Sequence, residues 1–390
     1  MKIESAASES RFPIVQLVLR PGIIDLGWGH PSPTLLPVER IRHATTACLE
    51  RYGFEALTYG ADAGAGPLLQ WLVEHISQTE GRTPNPDEIV VSGGASDALQ
   101  LICTMWARPG DVVLVESPTY HLAVKLLRDH PVDLVPVPAD SEGIRVDALA
   151  TKLDRLRAEE RSARFLYVIP TFQNPTGISL SLERRKNLIE LAAERDLLLV
   201  EDDVYRELAF DGVAPPSLWS MAPTGVVARI GSFAKSLAAG LRLGWVTASA
   251  DQIQRLAGSG LRDSGGGANH FAAMVASEFC TLGHFDAHIA LLRNAYKVRC
   301  EALLQGLRQH LPPGCQVQSP RGGFFVWVTL PQGMDATNLL VRAESAGVSF
   351  LPGVRFHLDG RGTSAIRLSF SLYDPDELIE GTRRLGRCFA

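Results

Sequence analysis

The sequence predicts an α/β fold with a mainly parallel sheet, and three observations lead to this prediction. Apolar segments with the length of buried strands recur along the chain, at 88–92, 111–116, 165–170 and 197–200. Helical patterns separate them, and the pattern over 182–195 is long enough for a crossover between two parallel strands. Turn-forming glycine, proline and polar residues follow the strand segments.

Composition excludes several classes of function. The chain has 390 residues, of which 46% are hydrophobic and 21% charged, and its formal net charge is -5. This length allows two or three domains, and the absence of a basic excess argues against nucleic acid as a partner. No apolar run reaches the length of a membrane span, and residues 1–10 lack the apolar core of a signal peptide. We therefore expect a cytoplasmic protein.

The sequence predicts no metal site. The six cysteines are scattered, without a C-x-x-C pair or a histidine–cysteine cluster, which indicates buried reduced thiols. His284 and His288 stand four residues apart and could share a helix face, but no third ligand accompanies them at metal-binding spacing. We favour a solvated helix face at these two positions over a metal site.

The N-terminal part combines an arm, a turn and a helix. Residues 1–20 are expected to form an arm before a strand pattern at 23–26, and a turn dense in glycine and proline follows at 27–33. A helix is predicted from about Val38 to Tyr52. The helix predicted over 149–161 is amphipathic, and the one over 286–309 leads into the C-terminal part.

A glycine-rich turn after the strand at 88–92 predicts an anion site. Gly93 and Gly94 precede a helix that opens at Ala95 and Ser96. The first turn of a helix offers unpaired backbone N–H groups and the positive end of the helix dipole. This signal is weak alone, because many α/β proteins have such a turn without a ligand.

Acidic residues end the central strand at 197–200. Glu201, Asp202 and Asp203 stand together at its carboxyl end, where open α/β sheets bind ligands. Any of the three could face a ligand.

The segment 232–245 carries the most specific chemistry of the chain. Lys235 stands among small residues, with the hydroxyl of Ser232 three positions before it and Arg242 seven positions after it. A lysine that attacks an aldehyde must have its amine form favoured by burial or by neighbouring cations, and small apolar neighbours suit such burial. This arrangement can hold an aldehyde cofactor covalently and bind its phosphate.

These residues resemble a known family. The segment has the form Ser-Phe-x-Lys-x-Leu-x-x-Gly-Leu-Arg, similar to the cofactor-lysine segment of fold-type I pyridoxal-phosphate enzymes of aminotransferase class I/II, in the 2-aminoadipate aminotransferase branch. The resemblance extends from about residue 24 to 387. It implies a mainly parallel seven-stranded sheet in a large domain over 46–285, and a smaller α/β domain from both chain ends, 1–45 and 286–390. It also implies a homodimer with shared active sites.

The resemblance implies roles for individual residues. Lys235 would bind pyridoxal 5'-phosphate and move protons, Asp202 would pair with the ring nitrogen, and the Asp-x-x-Tyr spacing to Tyr205 favours Asp202 over its two acidic neighbours. Tyr120 would stack on the ring, and Tyr59 would reach the phosphate of the neighbouring subunit. The implied cofactor-binding set is Tyr59, Ala95, Ser96, Tyr120, Asn174, Asp202, Tyr205, Ser232, Lys235 and Arg242.

Substrate contacts are implied for fewer residues. Arg367 and Asn174 would hold the substrate carboxylate, and Gly29 with His30 would face the pocket. A structural arginine at 367, a core tyrosine at 120 and a turn tyrosine at 59 are the alternatives. The three glycines at 265–267 depart from the family pattern, which indicates either a roomy pocket or a flexible loop.

The resemblance implies an aminotransferase that moves an amino group from an L-amino acid to a 2-oxo acid. One alternative is elimination, replacement or carbon–carbon bond formation with the same cofactor, possible in a specialised biosynthetic pathway. A catalytically silent ligand-sensing domain is a second alternative. It is disfavoured because every expected cofactor contact is present.

Overall fold

The computed structural model of the protein describes residues 13–389. The first part of the predicted arm, and the segment that bears on a signal peptide, lie outside the described residues. Within the described range, no helix combines the length and the apolar character that crossing a membrane requires.

Fourteen strands and thirteen α-helices were assigned within the described residues. The strands are β1 Ile24–Asp25, β2 Ile89–Ser92, β3 Val112–Ser117, β4 Asp133–Asp140, β5 Gly143–Ile144, β6 Ala163–Val168, β7 Leu198–Asp202, β8 Val227–Ser232, β9 Gly244–Thr247, β10 Gln316–Val317, β11 Phe325–Thr329, β12 Val348–Ser349, β13 Leu351–Pro352 and β14 Ala365–Ser369. The helices are α1 Val38–Tyr52, α2 Gly66–Glu80, α3 Ala95–Trp106, α4 His121–Arg128, α5 Val146–Ala158, α6 Leu182–Glu194, α7 Leu218–Met221, α8 Ala250–Ala257, α9 Gly260–Gly265, α10 His270–Thr281, α11 His284–His310, α12 Ala336–Ser345 and α13 Pro375–Arg387.

The large sheet has the order β2-β9-β8-β7-β6-β3-β4-β5. Strands β8, β7, β6, β3 and β4 run parallel, while β9 is antiparallel to both of its neighbours. The predicted mainly parallel sheet is confirmed, but it has eight strands where seven were predicted. The eighth, β5, has two residues and returns along β4 through a tight turn at Gly143, which has φ +99.

Helices cover both faces of this sheet. Alternate residues of β3 enter two different cores, so that Val113 and Val115 contact one layer and Val112 and Leu114 the other. The first layer includes apolar residues of α3, α4 and α8, and the second includes those of α2, α6 and α10. Burial on both faces explains why the strand segments are continuously apolar in the sequence.

A second, antiparallel sheet has the order β10-β11-β14-β13. Near it, β1 pairs in parallel with β12, which brings the N-terminal part onto the C-terminal part. The division into 46–285 and the two chain ends stays a proposal. Both of its boundaries fall inside helices, at residue 45 in α1 and at residue 285 in α11.

Smaller predictions differ from the structure. The amphipathic helix predicted over 149–161 begins three residues earlier, at Val146, and ends before Glu160, where φ is +54. The predicted solvated helix face is wrong for His288, which is 2% exposed because that side of α11 packs against Phe279. The cysteines are all free, and only Cys315 is not fully buried.

A buried ion cluster lies behind the carboxyl end of β7. Arg229 contacts both Glu80, at 3.0 Å, and Asp203, at 2.9 Å. Arg206 contacts Glu80 at 2.5 Å. Paired charges of this kind are costly to separate, so the cluster joins α2, β7 and β8 firmly beneath the site.

Candidate active site

Lys235 lies at the end of β8, in a π-helical turn over Ala234–Ala238. The amide of Ala238 donates to the carbonyl of Phe233, five residues before it, at 3.0 Å. The Lys235 Nζ atom donates to the carbonyl oxygen of Gly29 at 3.1 Å. Burial and the charge of Arg367 together lower the pKa of Lys235 to about 8, while the charge of Asp202 opposes them. The amine form is therefore accessible near neutral pH.

Asp202 ends the neighbouring strand β7. One of its carboxylate oxygens, Oδ2, accepts a hydrogen bond from the hydroxyl of Tyr167 at 2.5 Å, and the other, Oδ1, is buried without a partner. Burial raises the pKa of Asp202 to about 6, and the Tyr167 hydrogen bond opposes that rise. A buried open acceptor of this kind can accept a hydrogen bond from a ligand.

The two acidic neighbours of Asp202 point elsewhere. Glu201 accepts from the backbone amides of Leu218, at 2.9 Å, and Trp219, at 3.0 Å. Asp203 belongs to the ion cluster behind the sheet. Because successive side chains of a strand alternate between faces, only Asp202 of the three lies on the Lys235 side.

Helix α3 and Arg242 form a positively charged corner. The helix begins at Ala95 and Ser96 without a side-chain cap, so its first amides lack intrahelical acceptors. A Cβ atom on Gly94 would lie 2.9 Å from the Arg242 Nη2 atom, which shows how closely the guanidinium approaches this helix end. The Arg242 Nη1 atom donates to the Ala239 carbonyl oxygen at 3.4 Å, and the corner is suited to a dianion such as a phosphate. The Ser232 hydroxyl, which accepts from the amide of Ala234 at 3.1 Å, lies on the same strand-to-helix turn as Lys235.

Three further residues predicted for the cofactor lie on adjacent turns. Asn174 follows β6, and its side chain lies close enough to the hydroxyl of buried Tyr205 to influence its pKa. Burial raises the pKa of the Tyr205 hydroxyl, so it remains a hydrogen-bond donor. Tyr120 immediately precedes α4, and its phenol lies within electrostatic range of Asp202, Arg367 and Arg242.

Arg367 enters this site from β14. Its Nη1 atom donates to the Asn174 Oδ1 atom at 2.9 Å, and its Nη2 atom donates to the Gly27 carbonyl oxygen at 2.6 Å. The Nε atom is buried without a partner, and the guanidinium lies 4.1 Å from the ring centroid of Phe325. Burial lowers the pKa of Arg367 to about 10, so the side chain stays cationic at neutral pH.

The predicted turn at 27–33 lies over Lys235. A Cβ atom on Gly29 would approach the Phe325 ring to 2.7 Å, so only glycine fits between that ring and the lysine. His30 packs edge-on against Trp28 at 5.0 Å. Burial and the charge of Lys235 lower the pKa of His30 to about 4, so its imidazole is neutral at physiological pH.

Tyr59 is not part of this constellation within one chain, since 83% of its surface is exposed. It lies beside the glycine-rich segment: the amide of Gly267 donates to the Gly60 carbonyl at 3.4 Å. A Cβ atom on Gly266 would lie 2.5 Å from that same oxygen, and one on Gly267 would lie 2.2 Å from the Ala61 oxygen. Close contact with the backbone of residues 60 and 61 therefore explains the glycines at 266 and 267. The two interpretations from the sequence, a roomy pocket and a flexible loop, did not include this reason.

The residues present fit pyridoxal phosphate. The open Asp202 Oδ1 atom can accept from a ring nitrogen, the corner at α3 can hold a phosphate, and Lys235 can bond to an aldehyde. When bound, this cofactor withdraws electrons from a bond to the substrate Cα. Among the described residues, no group of three or more metal-ligating side chains could hold a metal ion.

Comparison with known proteins decides the family. Residues 21–385 match the family Aminotransferase class I and II. The chain belongs to this family. It is 36% identical to aromatic-amino-acid aminotransferase 1 of Thermococcus litoralis, over 97% of this chain and 90% of that protein. It is 35% identical to 2-aminoadipate transaminase of Thermus thermophilus, over 96% of this chain and 92% of that protein.

Solved structures agree with this assignment. A Pyrococcus horikoshii kynurenine aminotransferase in complex with PMP superposes with a TM-score of 0.89 at 35% identity, covering 94% of this chain and 90% of that one. The α-aminoadipate aminotransferase of Thermus thermophilus, complexed with N-(5'-phosphopyridoxyl)-L-leucine, gives 0.85 at 34% identity and covers 94% and 92%. The aminotransferase is thus a pyridoxal-phosphate-dependent, fold-type I transferase that acts on small amino acid and oxo-acid substrates. These relatives favour amino-group transfer over the predicted alternatives.

Sequence reasoning missed two residues that touch the site. Gln173 donates to the Pro118 carbonyl at 2.7 Å and accepts from the Thr176 amide at 2.8 Å, so it joins the turn before Tyr120 to the turn of Asn174. Tyr167 was placed in a strand without a role. The sequence did contain a signal for Tyr167: it is a polar aromatic residue in the predicted strand that precedes the Asp202 strand.

The lowered pKa of Lys235 predicts how cofactor binding depends on pH. The rate at which pyridoxal phosphate bonds covalently to the apo protein should rise about tenfold per pH unit up to a pKa of about 8 and then level off, because only the neutral amine attacks. Borohydride trapping and mass spectrometry measure this rate, with Lys235→Ala as the control that traps nothing. A rate still rising at pH 10 would contradict the lowered pKa.

Proposed function

We propose that this aminotransferase binds its amino acid donor by pairing the donor's α-carboxylate with Arg367 and Asn174. The observation that carries the proposal is the buried guanidinium of Arg367, which has an unpartnered Nε atom and no acidic partner in the described residues. Burying an unpaired cation is costly, so an anion that accepts hydrogen bonds from this guanidinium would stabilise it. The planar guanidinium suits a carboxylate.

In this proposal the other site residues bind the cofactor. Asp202 accepts the ring N–H of the cofactor, Tyr120 covers the ring, and Tyr205 with Asn174 binds its phenolic oxygen. Ala95, Ser96, Ser232 and Arg242 hold the phosphate. With the cofactor bound, the Lys235 Nζ atom would be the base that takes the proton from the donor's Cα.

The donor side chain lies against neutral walls in this proposal. His30 is uncharged at physiological pH and packs edge-on against Trp28, and the Phe325 ring lies against Gly29. Such walls favour an uncharged, large side chain over a carboxylate, since a carboxylate would lose its hydration without gaining a partner. The relative from Thermococcus litoralis is named an aromatic-amino-acid aminotransferase, which supports this preference.

A homodimer in the cytoplasm completes the proposal. Phe54, Leu57, Tyr59 and Leu261 are between 67% and 83% exposed, on two segments that the His270–Glu55 hydrogen bond of 2.8 Å holds together. An exposed apolar surface of this kind indicates a protein interface. A second copy would cover it and place Tyr59 at the partner's phosphate site. Free buried cysteines are typical of a reducing compartment.

Loss of the Arg367 charge should weaken donor binding. We expect Arg367→Gln to raise KM for the amino acid by about 10- to 100-fold, the effect of one charge-assisted hydrogen bond of about 1.5–3 kcal/mol. Steady-state kinetics measures it, and Arg321→Gln is the matched control, since that side chain is 82% exposed. An unchanged KM would place the carboxylate elsewhere.

An absorbance titration without oxo acid tests the reaction itself. We expect each reactive amino acid to convert the aldehyde form of the bound cofactor to the amine form in one stoichiometric turnover, with aromatic donors faster than acidic ones. An aldehyde form that returns while the amino acid is consumed would instead indicate elimination or replacement. Faster reaction of acidic donors would contradict the neutral pocket.

Shared active sites predict complementation between two defective variants. Tyr59→Ala and Lys235→Ala homodimers should each be impaired, the first through loss of about tenfold in cofactor affinity. Subunits exchanged in equal amounts should recover about a quarter of wild-type activity, because half of the dimers then contain one intact site. Activity no higher than the mean of the separate variants would place Tyr59 outside the partner's site.

A further inference from the structure

Tyr167 makes a hydrogen bond to Asp202 that has no part in the residue roles proposed above. The Tyr167 side chain is fully buried, and its hydroxyl donates to the Asp202 Oδ2 atom at 2.5 Å. Phenylalanine would fill the same apolar space without the hydroxyl. The hydroxyl thus contacts the carboxylate assigned to the cofactor and serves no surface role.

The sheet places these two side chains together. Strands β6 and β7 are parallel, and Tyr167 pairs with Val200, two residues before Asp202. Residues two apart in a strand point to the same face, so Tyr167 and Asp202 project to the same side of the sheet. Tyr167 contributes to the apolar layer that α3 and α4 cover, and only its hydroxyl reaches the polar site.

The hydrogen bond leaves each carboxylate oxygen of Asp202 with a different partner: Oδ2 accepts from Tyr167, and Oδ1 is open to a ligand. With Oδ2 bound to Tyr167, the Oδ1 atom is the acceptor left for a ligand, and the carboxylate cannot rotate without losing the Tyr167 bond. A bond donated to a carboxylate also stabilises its charged form. Tyr167 therefore acts on both the direction and the charge of Asp202.

The surroundings of Asp202 otherwise oppose its ionisation. Burial is the largest cause of its raised pKa, and the charge of Asp203 adds to it, while Lys235 opposes both. Glu116 also faces it, and burial raises the pKa of that carboxyl to about 8, so it carries little charge at neutral pH. The phenols of Tyr120 and Tyr205 also interact electrostatically with Asp202.

We propose that Tyr167 is a positioning residue for catalysis, which holds the Asp202 carboxylate ionised and aimed at the ring nitrogen of the cofactor. This inference rests on the role of Asp202 given under the proposed function. Through Asp202, a residue of the neighbouring strand β6 would then set the pKa of the cofactor's ring nitrogen.

The test replaces Tyr167 with phenylalanine and begins without substrate. In the loaded protein, absorbance reports the protonation of the Lys235 nitrogen in its bond to the cofactor. A protonated ring lowers the proton affinity of that nitrogen by repulsion. Since Tyr167→Phe weakens the ionised state of Asp202, we expect the absorbance midpoint to move to higher pH by about one unit.

Kinetics gives a second readout. We expect kcat to fall about tenfold or more in Tyr167→Phe while KM for the amino acid changes little, because the Arg367 contacts are not altered. A role confined to stability would lower the unfolding temperature and leave the midpoint unchanged. Tyr373→Phe is the matched control, since that mostly buried tyrosine loses a 3.0 Å hydrogen bond from the Asp25 amide, outside the Asp202 contacts.

The outcomes separate this inference from the proposed function. An unshifted midpoint together with an unchanged kcat in Tyr167→Phe would overturn the inference, even if wild-type transamination proceeds as proposed. Failure of the wild type to transaminate would overturn the proposed function while the midpoint shift stays measurable. If Tyr167→Phe does not fold, 3-fluorotyrosine at position 167, a stronger donor, should move the midpoint to lower pH; no shift would overturn the inference.

Discussion

The site depends on holding three cations around one buried carboxylate. Lys235 and Arg242 lie on the segment 232–245, and Arg367 comes from β14. Burial lowers the pKa of Lys235, and the charges of Arg367 and Arg242 also lower it. Among them only Asp202 supplies an opposing charge near the lysine. The buried ion cluster of Glu80, Asp203 and Arg229 lies behind these residues. The excess of positive charge around Lys235 suits the site to anions such as a phosphate or a carboxylate.

The sequence was most informative where chemistry and local structure coincide. The strand, turn and helix around Ala95, the acidic end of β7 and the lysine turn each occupy one short segment, so local pattern predicted them. Tyr167 could not be assigned in this way, because its contact with Asp202 depends on the register between two strands. Residues 266 and 267 illustrate the same limit, since their contact with Gly60 joins distant parts of the chain.

The glycines at the site have different physical reasons. Gly29 is needed because the Phe325 ring leaves no room for a side chain beneath the turn that accepts from Lys235. Gly94, at φ +94, combines a left-handed conformation with the close approach of Arg242. A glycine count alone cannot separate these reasons from loop flexibility, which is why the pattern at 265–267 left two interpretations open.

The hydrogen bond between Arg367 and Asn174 shows how substrate binding can be joined to the geometry of the reaction. Arg367 belongs to the antiparallel sheet, whereas Asn174 lies on a turn of the large sheet, close to Tyr205. A carboxylate bound between them would contact both sheets at once. Its binding energy would then hold Arg367, Asn174 and Tyr205 in one arrangement around Lys235. Because the covalent step requires that arrangement, a ligand without the carboxylate would lose rate as well as affinity.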